Sequence, residues 1–240
     1  MTGALGWGAL AASSLVIGAL LGISRRWPDV LIGLVLAFGA GALISAVSFD
    51  LAEEGGKLGG ADSLALGLAL GALTYFVAHR LVDRVGGPRR KAPSAAPDDA
   101  DAGLALALGA FLDGIPEQAV LGIGIAAGQG VSVGLLAAIF VSNLPEAIGS
   151  ASAMKAPRRK VIVLWIVVAV ICTLATVAGY GIADNVSGDT QAVIDGFAAG
   201  ALLVMLIDSM IPEAARRAGD IAGLLTVLGF AVAAALSSVG

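Results

Sequence analysis

The chain is poor in the residues from which most soluble sites are built: one cysteine, Cys172, and one histidine, His79, in 240 residues. A single cysteine leaves no internal disulfide framework and no cysteine-based metal motif, and it leaves the redox compartment open. A single histidine excludes the two-histidine HExxH helix of a metalloprotease. Aromatic residues make up 5% and charged residues 13% of the chain, with a net charge of −4. A chain so sparsely charged has no basic stripe for nucleic acid, and no such partner is expected.

What the sequence has instead is apolar length. Hydrophobic residues make up 58% and mean hydropathy is +0.94, well outside the range of soluble domains. A membrane-spanning helix needs about 20 apolar residues. Glycine, proline and charge clusters divide the chain into eight such segments, at approximately 3–23, 30–50, 60–79, 103–127, 131–153, 161–183, 190–210 and 221–239. These predict an all-α polytopic protein forming a single membrane domain, 1–240, with lipid as its surroundings.

The basic residues orient the spans. Arg25 and Arg26 follow span 1, Arg80 to Lys91 follow span 3, Lys155 to Lys160 follow span 5, and Arg216 and Arg217 follow span 7; Lys57 alone falls on the other side. Lysine and arginine are retained in the cytoplasm, so eight crossings with both termini outside are expected. The opening MTGALGWGAL carries no basic residue and the arginines come after the apolar run. That is the reverse of the secretory signal-peptide order, so span 1 reads as an outside-to-inside helix.

The one long connection, 80–102, is rich in proline, alanine and charge and is expected to be a mobile cytoplasmic loop. The 34 glycines include Gly18xxxGly22, Gly67xxxGly71 and Gly196xxxGly200. Small residues four apart let helices approach closely, but a glycine-rich chain also yields such pairs by frequency alone, and no specific pairing is read from them. They permit a homodimer without requiring one.

A short acidic pattern recurs in FDLAEEGG at 49–56, LDGIPEQAVLG at 112–122, SNLPEAIGSA at 142–151 and IDSMIPEAARRAG at 207–219. Its placement relates spans 1–3 to spans 6–8 by inversion around spans 4 and 5, a plan common in transporters. A carboxylate at mid-membrane costs about 2.5–3.5 kcal/mol on insertion scales, and spans 4 and 5 hold Asp113, Glu117 and Glu146. At a rise of about 1.5 Å per residue, Glu117 and Asn143 fall at one depth, and Asp113 and Glu146 about one turn deeper. Pro116, Pro145 and Pro212 leave the carbonyls of Leu112, Val141 and Asp208 without their helical donors. Two levels of oxygen ligands on antiparallel helices suit one or two cations. Acids hydrogen-bonded among themselves, with no transport role, are the plainer reading of the same residues.

Eight spans, outside termini, a loop after span 3 and PE motifs in spans 4 and 5 resemble the ZIP (Zrt-, Irt-like protein) family of divalent-metal transporters over essentially the whole chain. In that family span 4 carries His-Asn-x-Pro-Glu-Gly and span 5 His-(Glu/Asn/Asp)-x-Pro-Glu-Gly. Here Asp113, Gly114, Pro116 and Glu117 stand at the span-4 positions, and Ser142, Asn143, Pro145 and Glu146 at the span-5 positions. Both histidines are replaced, by Asp113 and Ser142. The resemblance implies a substrate cation held at mid-membrane by Asp113, Glu117, Asn143 and Glu146 with Ser142, and moved toward the cytoplasm by alternating access. It implies no tightly bound cofactor. Asp50 is the expected way in and Asp208 the way out. Carboxylate and amide oxygens favour Mn²⁺, with Fe²⁺ intermediate, and zinc follows from descent.

His79, at the end of span 3, reads as a solvated helix-end residue. Two alternatives stay open. One is a ZIP-like protein that has lost metal transport or carries another solute. The other is an intramembrane enzyme: a GxGD motif is absent, but Asp113 and Glu117 form a carboxylate pair. The composition suits a bacterial inner membrane.

Overall fold

The computed structural model describes residues 1–25, 27–85, 99–126, 132–184 and 186–237, and the backbone alone over 82–85 and 99–110. The described residues are helical throughout their regular structure, with no strand among them. The helices are α1 (Thr2–Ser24), α2 (Asp29–Ala46), α3 (Glu54–Val85), α4 (Asp99–Ala126), α5 (Val133–Ala153), α6 (Arg158–Ala183), α7 (Gly188–Met205), α8 (Ile211–Ala218) and α9 (Ile221–Ser237). Two π-helical segments, Val47–Glu53 and Leu206–Met210, continue α2 and α7.

Five stretches among the described residues are long and apolar enough to cross a membrane: Thr2–Ser24, Asp29–Leu81, Val133–Ala153, Arg158–Ala183 and Gly188–Ala218. The outward faces agree. Leu66, Leu70 and Leu73 on α3, Val167 and Leu174 on α6 and Leu224 on α9 are exposed, forming an apolar surface far larger than a soluble monomer presents. The chain is an all-helical polytopic membrane protein.

Asp29–Leu81 does not run straight. Gly60 sits at φ 79°, ψ 171° inside α3, a left-handed conformation that glycine adopts without a Cβ penalty. Gly55 touches Asp195, Gly59 touches Gly188, and Gly67 then touches Val193. The chain thus descends α7 before residue 60 and climbs it again afterwards. Gly219, at φ 63°, separates α8 from α9 in the same way. The two hairpins share a plan: an 18-residue helix, a π segment carrying an aspartate, a short helical stretch, a glycine reversal and a final helix.

Close backbone contacts sort the helices into parallel pairs. A Cβ on Gly67 would lie 2.2 Å from the Val193 carbonyl oxygen, and one on Gly196 2.3 Å from that of Leu64, which seats α3 against α7. Gly41 against Thr226 and Gly229 against Phe38 seat α2 against α9. Gly18 against Leu144 and Gly22 against Ile148 seat α1 against α5, while Gly122 against Thr176 and Gly179 against Ala119 seat α4 against α6. The GxxxG pairs, assigned no partners from sequence, are therefore the places where helices meet through bare backbone, as packing in lipid favours. The pairing is symmetric under exchange of α1 with α6, α2 with α7, α3 with α9 and α4 with α5.

The helices extend beyond the sequence-based bounds at the loop after α3. Residues 80–85 and 99–102, expected to be loop, continue α3 and begin α4. Apolar length marks where hydrocarbon ends, but a helix runs on until its backbone meets a breaker, so both helices continue past the apolar run. Residues 86–98 lie outside the described residues.

Candidate metal centre

The candidate residues of α4 and α5 meet in the middle of the bundle. Glu117 is 1% exposed and faces α5, where the Ser142 hydroxyl lies 3.2 Å from each carboxylate oxygen. Ser142 is itself fixed by donating to the Ile139 carbonyl at 3.0 Å. Asn143, also 1% exposed, stands beside the Glu117 carboxylate, yet its amide oxygen and nitrogen make no hydrogen bond of ordinary geometry among the described residues. A buried amide with both ends unmatched costs stability unless something else satisfies it.

One turn back along α4, Asp113 has a different neighbourhood. It accepts hydrogen bonds from the Tyr75 hydroxyl of α3 and, at 2.8 Å, from the Ser209 hydroxyl of the second π segment. Hydroxyl donors to a carboxylate contribute about 1.5–3 kcal/mol each, which helps hold an acid at this depth. Glu146 of α5 is partly exposed and shares a cavity of about 470 Å³ with Asp113, Asp208 and His79. The cavity runs from these groups to a rim formed by Ala153, at the end of α5, and Arg216 and Arg217 of α8. Arg217 reaches Asp29 at 2.8 Å and also bonds Glu213, tying the start of α2 to α8 at that rim.

The seven sequence-derived residues therefore divide three ways. Glu117, Ser142 and Asn143 form a buried group; Asp113, Glu146 and Asp208 line the cavity beside it; Asp50 stands apart. Asp50 accepts from the Ser132 hydroxyl at 3.0 Å, and Ser132 in turn caps the N-terminus of α5 through the Leu135 amide. Among the described residues no three His, Cys, Asp or Glu side chains are so placed as to hold one ion. An ion at this site must draw on the asparagine, the serine or backbone carbonyls as well.

His79 corrects the sequence reading. It is not a solvated helix end: α3 continues past it to Val85, its side chain is 16% exposed, its ring stacks on Tyr75 at 5.9 Å, and Nδ1 is 3.9 Å from Asp208 Oδ2. The apolar run ends near residue 79, but the helix carries His79 over the cavity. Tyr75 and Ser209 were not anticipated as partners of Asp113. A lone hydroxyl in an apolar span is a weak signal, although Tyr75 and His79 at a spacing of four share a helix face. Gln118 was passed over too; it is fully buried and accepts from Thr176 of α6 at 2.7 Å.

No known family profile matches the chain. Over 203 residues it is 29% identical to a protein of Arabidopsis thaliana described as a "putative zinc transporter", covering 82% of this chain and 31% of that protein. The chain thus spans about a third of its relative's length.

Proposed function

We propose that the chain is a transporter, not an enzyme, that moves divalent cations of the manganese, iron or zinc class toward the cytoplasm through the carboxylate and amide groups of α4 and α5. The observation that carries this reading is the cavity. It leads from the basic rim to Asp113 and Glu146, and Glu117, Ser142 and the unmatched Asn143 amide lie buried beyond them. A cation leaving that buried group passes Glu146, Asp113 and Asp208 in turn. The plant relative's description as a zinc transporter points to the same class of cargo.

The parallel pairing supports eight crossings with both termini outside. If each span reverses the one before it, with α8 continuing α7, then α1 runs with α5, α2 with α9, α3 with α7 and α4 with α6, and those four pairs share the most extensive contacts among the described residues. The symmetric exchange of partners supports an inverted repeat of spans 1–3 and 6–8 around spans 4 and 5. The basic rim marks the cytoplasmic side, in a bacterial inner membrane by composition. The helices are grouped as α1, α4, α5 and α6, which carry the buried group, and α2, α3 and α7 to α9, of which α2, α3, α8 and the second π segment face α4 and α5 across the cavity. Displacement of one set against the other gives alternating access.

One observation favours a second reading, a protein of this frame that has lost metal transport: no three acidic, histidine or cysteine side chains converge among the described residues. Cellular uptake of Mn, Fe, Zn, Co, Cd and Mg ions separates the two. Accumulation of at least one ion, abolished in Glu117→Ala and strongly reduced in Glu146→Ala, is expected. Accumulation of none, or unchanged uptake by both variants, rejects the transport site.

A further inference from the structure

The arginines at the rim of the large cavity are neutralised: Arg216 and Arg217 both pair with Glu213, and Arg217 also reaches Asp29. A second basic group at the same end of the bundle is not. Arg25, after α1, and Arg158, at the start of α6, meet no carboxylate within ion-pair distance among the described residues. The first turn of α6 carries Arg158, Arg159 and Lys160 and no acid, so the helix dipole adds to their charge instead of offsetting it.

Arg25 and Arg158 share a cavity of about 260 Å³, whose other walls include Gly22 and Ile23 of α1, Ser152 of α5 and Val161 of α6. No acidic side chain lines it among the described residues. Ser150 and Ala153 line the large cavity while Ser152 and Met154 line this one, so the end of α5 stands between the two. Trp27 fixes the depth. Its indole N–H donates to the Leu21 carbonyl at 3.0 Å, and the Arg25 guanidinium carbon lies 4.2 Å from its ring centroid. Tryptophan favours the level of the lipid headgroups, and a guanidinium stacked on a ring keeps its edge N–H groups free to donate. Deeper along the same two helices, Leu20, Val163 and Val167 are exposed.

We infer that this cavity holds the phosphate headgroup of an anionic phospholipid from the adjoining leaflet, with Arg25 and Arg158 donating to the phosphate from two helices and the acyl chains lying along α1 and α6. Arginine binds phosphate bidentately, and basic pockets between membrane helices seat anionic headgroups. A free phosphate uses only the polar part of this arrangement. A phospholipid uses the arginines and the apolar helix faces together, and it braces the end of α5 on the side away from the large cavity.

The purified chain in neutral detergent, washed free of lipid, is expected to retain one phosphatidylglycerol in native mass spectrometry at concentrations where phosphatidylcholine is not retained. Arg25→Gln or Arg158→Gln is expected to weaken retention about fivefold, and the two together about thirtyfold, the scale of one basic contact each at a membrane surface. Ala156→Leu narrows the cavity without touching charge and is expected to act in the same direction. Arg159→Gln with Lys160→Gln removes the same charge outside the cavity and is expected to change little. Every residue altered is exposed, so the fold is not at stake. Equal retention of the two lipids, retention unchanged by the Arg25 and Arg158 variants, or an equal loss in the Arg159 and Lys160 variant overturns the site. Inorganic phosphate that binds and displaces phosphatidylglycerol from the unaltered protein overturns the lipid as occupant.

Discussion

Asp113 is held by helices distant in sequence. Tyr75 reaches it from α3 and Ser209 from the second π segment, so the acid joins α4 to helices of the other set. Tyr75→Phe removes one donor at little change in shape, and an acid so deprived loses about 1–3 kcal/mol. Thermal unfolding of the purified protein is expected to show that loss. Tyr75→Phe and Ser209→Ala together are expected to cost something other than their sum, because they share an acceptor. Asp113, Glu117, Asn143 and Glu146 stood out in the sequence as candidates because an acid or amide in an apolar run has few neutral explanations. Their partners were not. Hydroxyls are common in membrane helices, and only three-dimensional packing distinguishes Tyr75 and Ser209 from the hydroxyls that merely bond their own helix, as Thr173 does with Ala169.

The helices themselves were close to their sequence-based bounds, since a run of apolar residues is the strongest signal a membrane sequence carries. Two features at this scale left no such trace. The π segments at 47–53 and 206–210 depend on which carbonyl each amide meets, and residue type hardly encodes that. The reversal at Gly60 was hidden among other glycines until φ was known. Glycine contacts allow a direct check on the pairing. Gly196→Ala places a methyl 2.3 Å from the Leu64 carbonyl oxygen, whereas Gly223→Ala meets nothing within 4 Å. The first is expected to destabilise by about 1–3 kcal/mol and the second to change little, as read from unfolding midpoints in one detergent.

For the whole molecule, the cavity fixes an orientation that can be measured. With Cys172 replaced by alanine to silence the native thiol, a cysteine at Ser150 or Ala153, both on the cavity wall, is expected to react with a membrane-impermeant maleimide in inside-out vesicles. In right-side-out vesicles it is expected to be protected. The opposite pattern inverts the proposed topology. The all-helical membrane class was readable from composition, because apolar length is imposed by the bilayer. The division into two helix sets was not, since it arises from which glycine faces which backbone.

One of those contacts lies at the site itself. A Cβ on Gly39 of α2 would lie 2.9 Å from the Cα of Ser142, so the two helix sets meet there main chain to main chain, beside the serine that faces Glu117. Interlocked side chains act as cogs and resist sliding until their rotamers change. Two smooth backbones act as a plain bearing, and under the proposed alternating access position 39 is where that bearing would let the helices carrying Glu117 and Asn143 travel without catching.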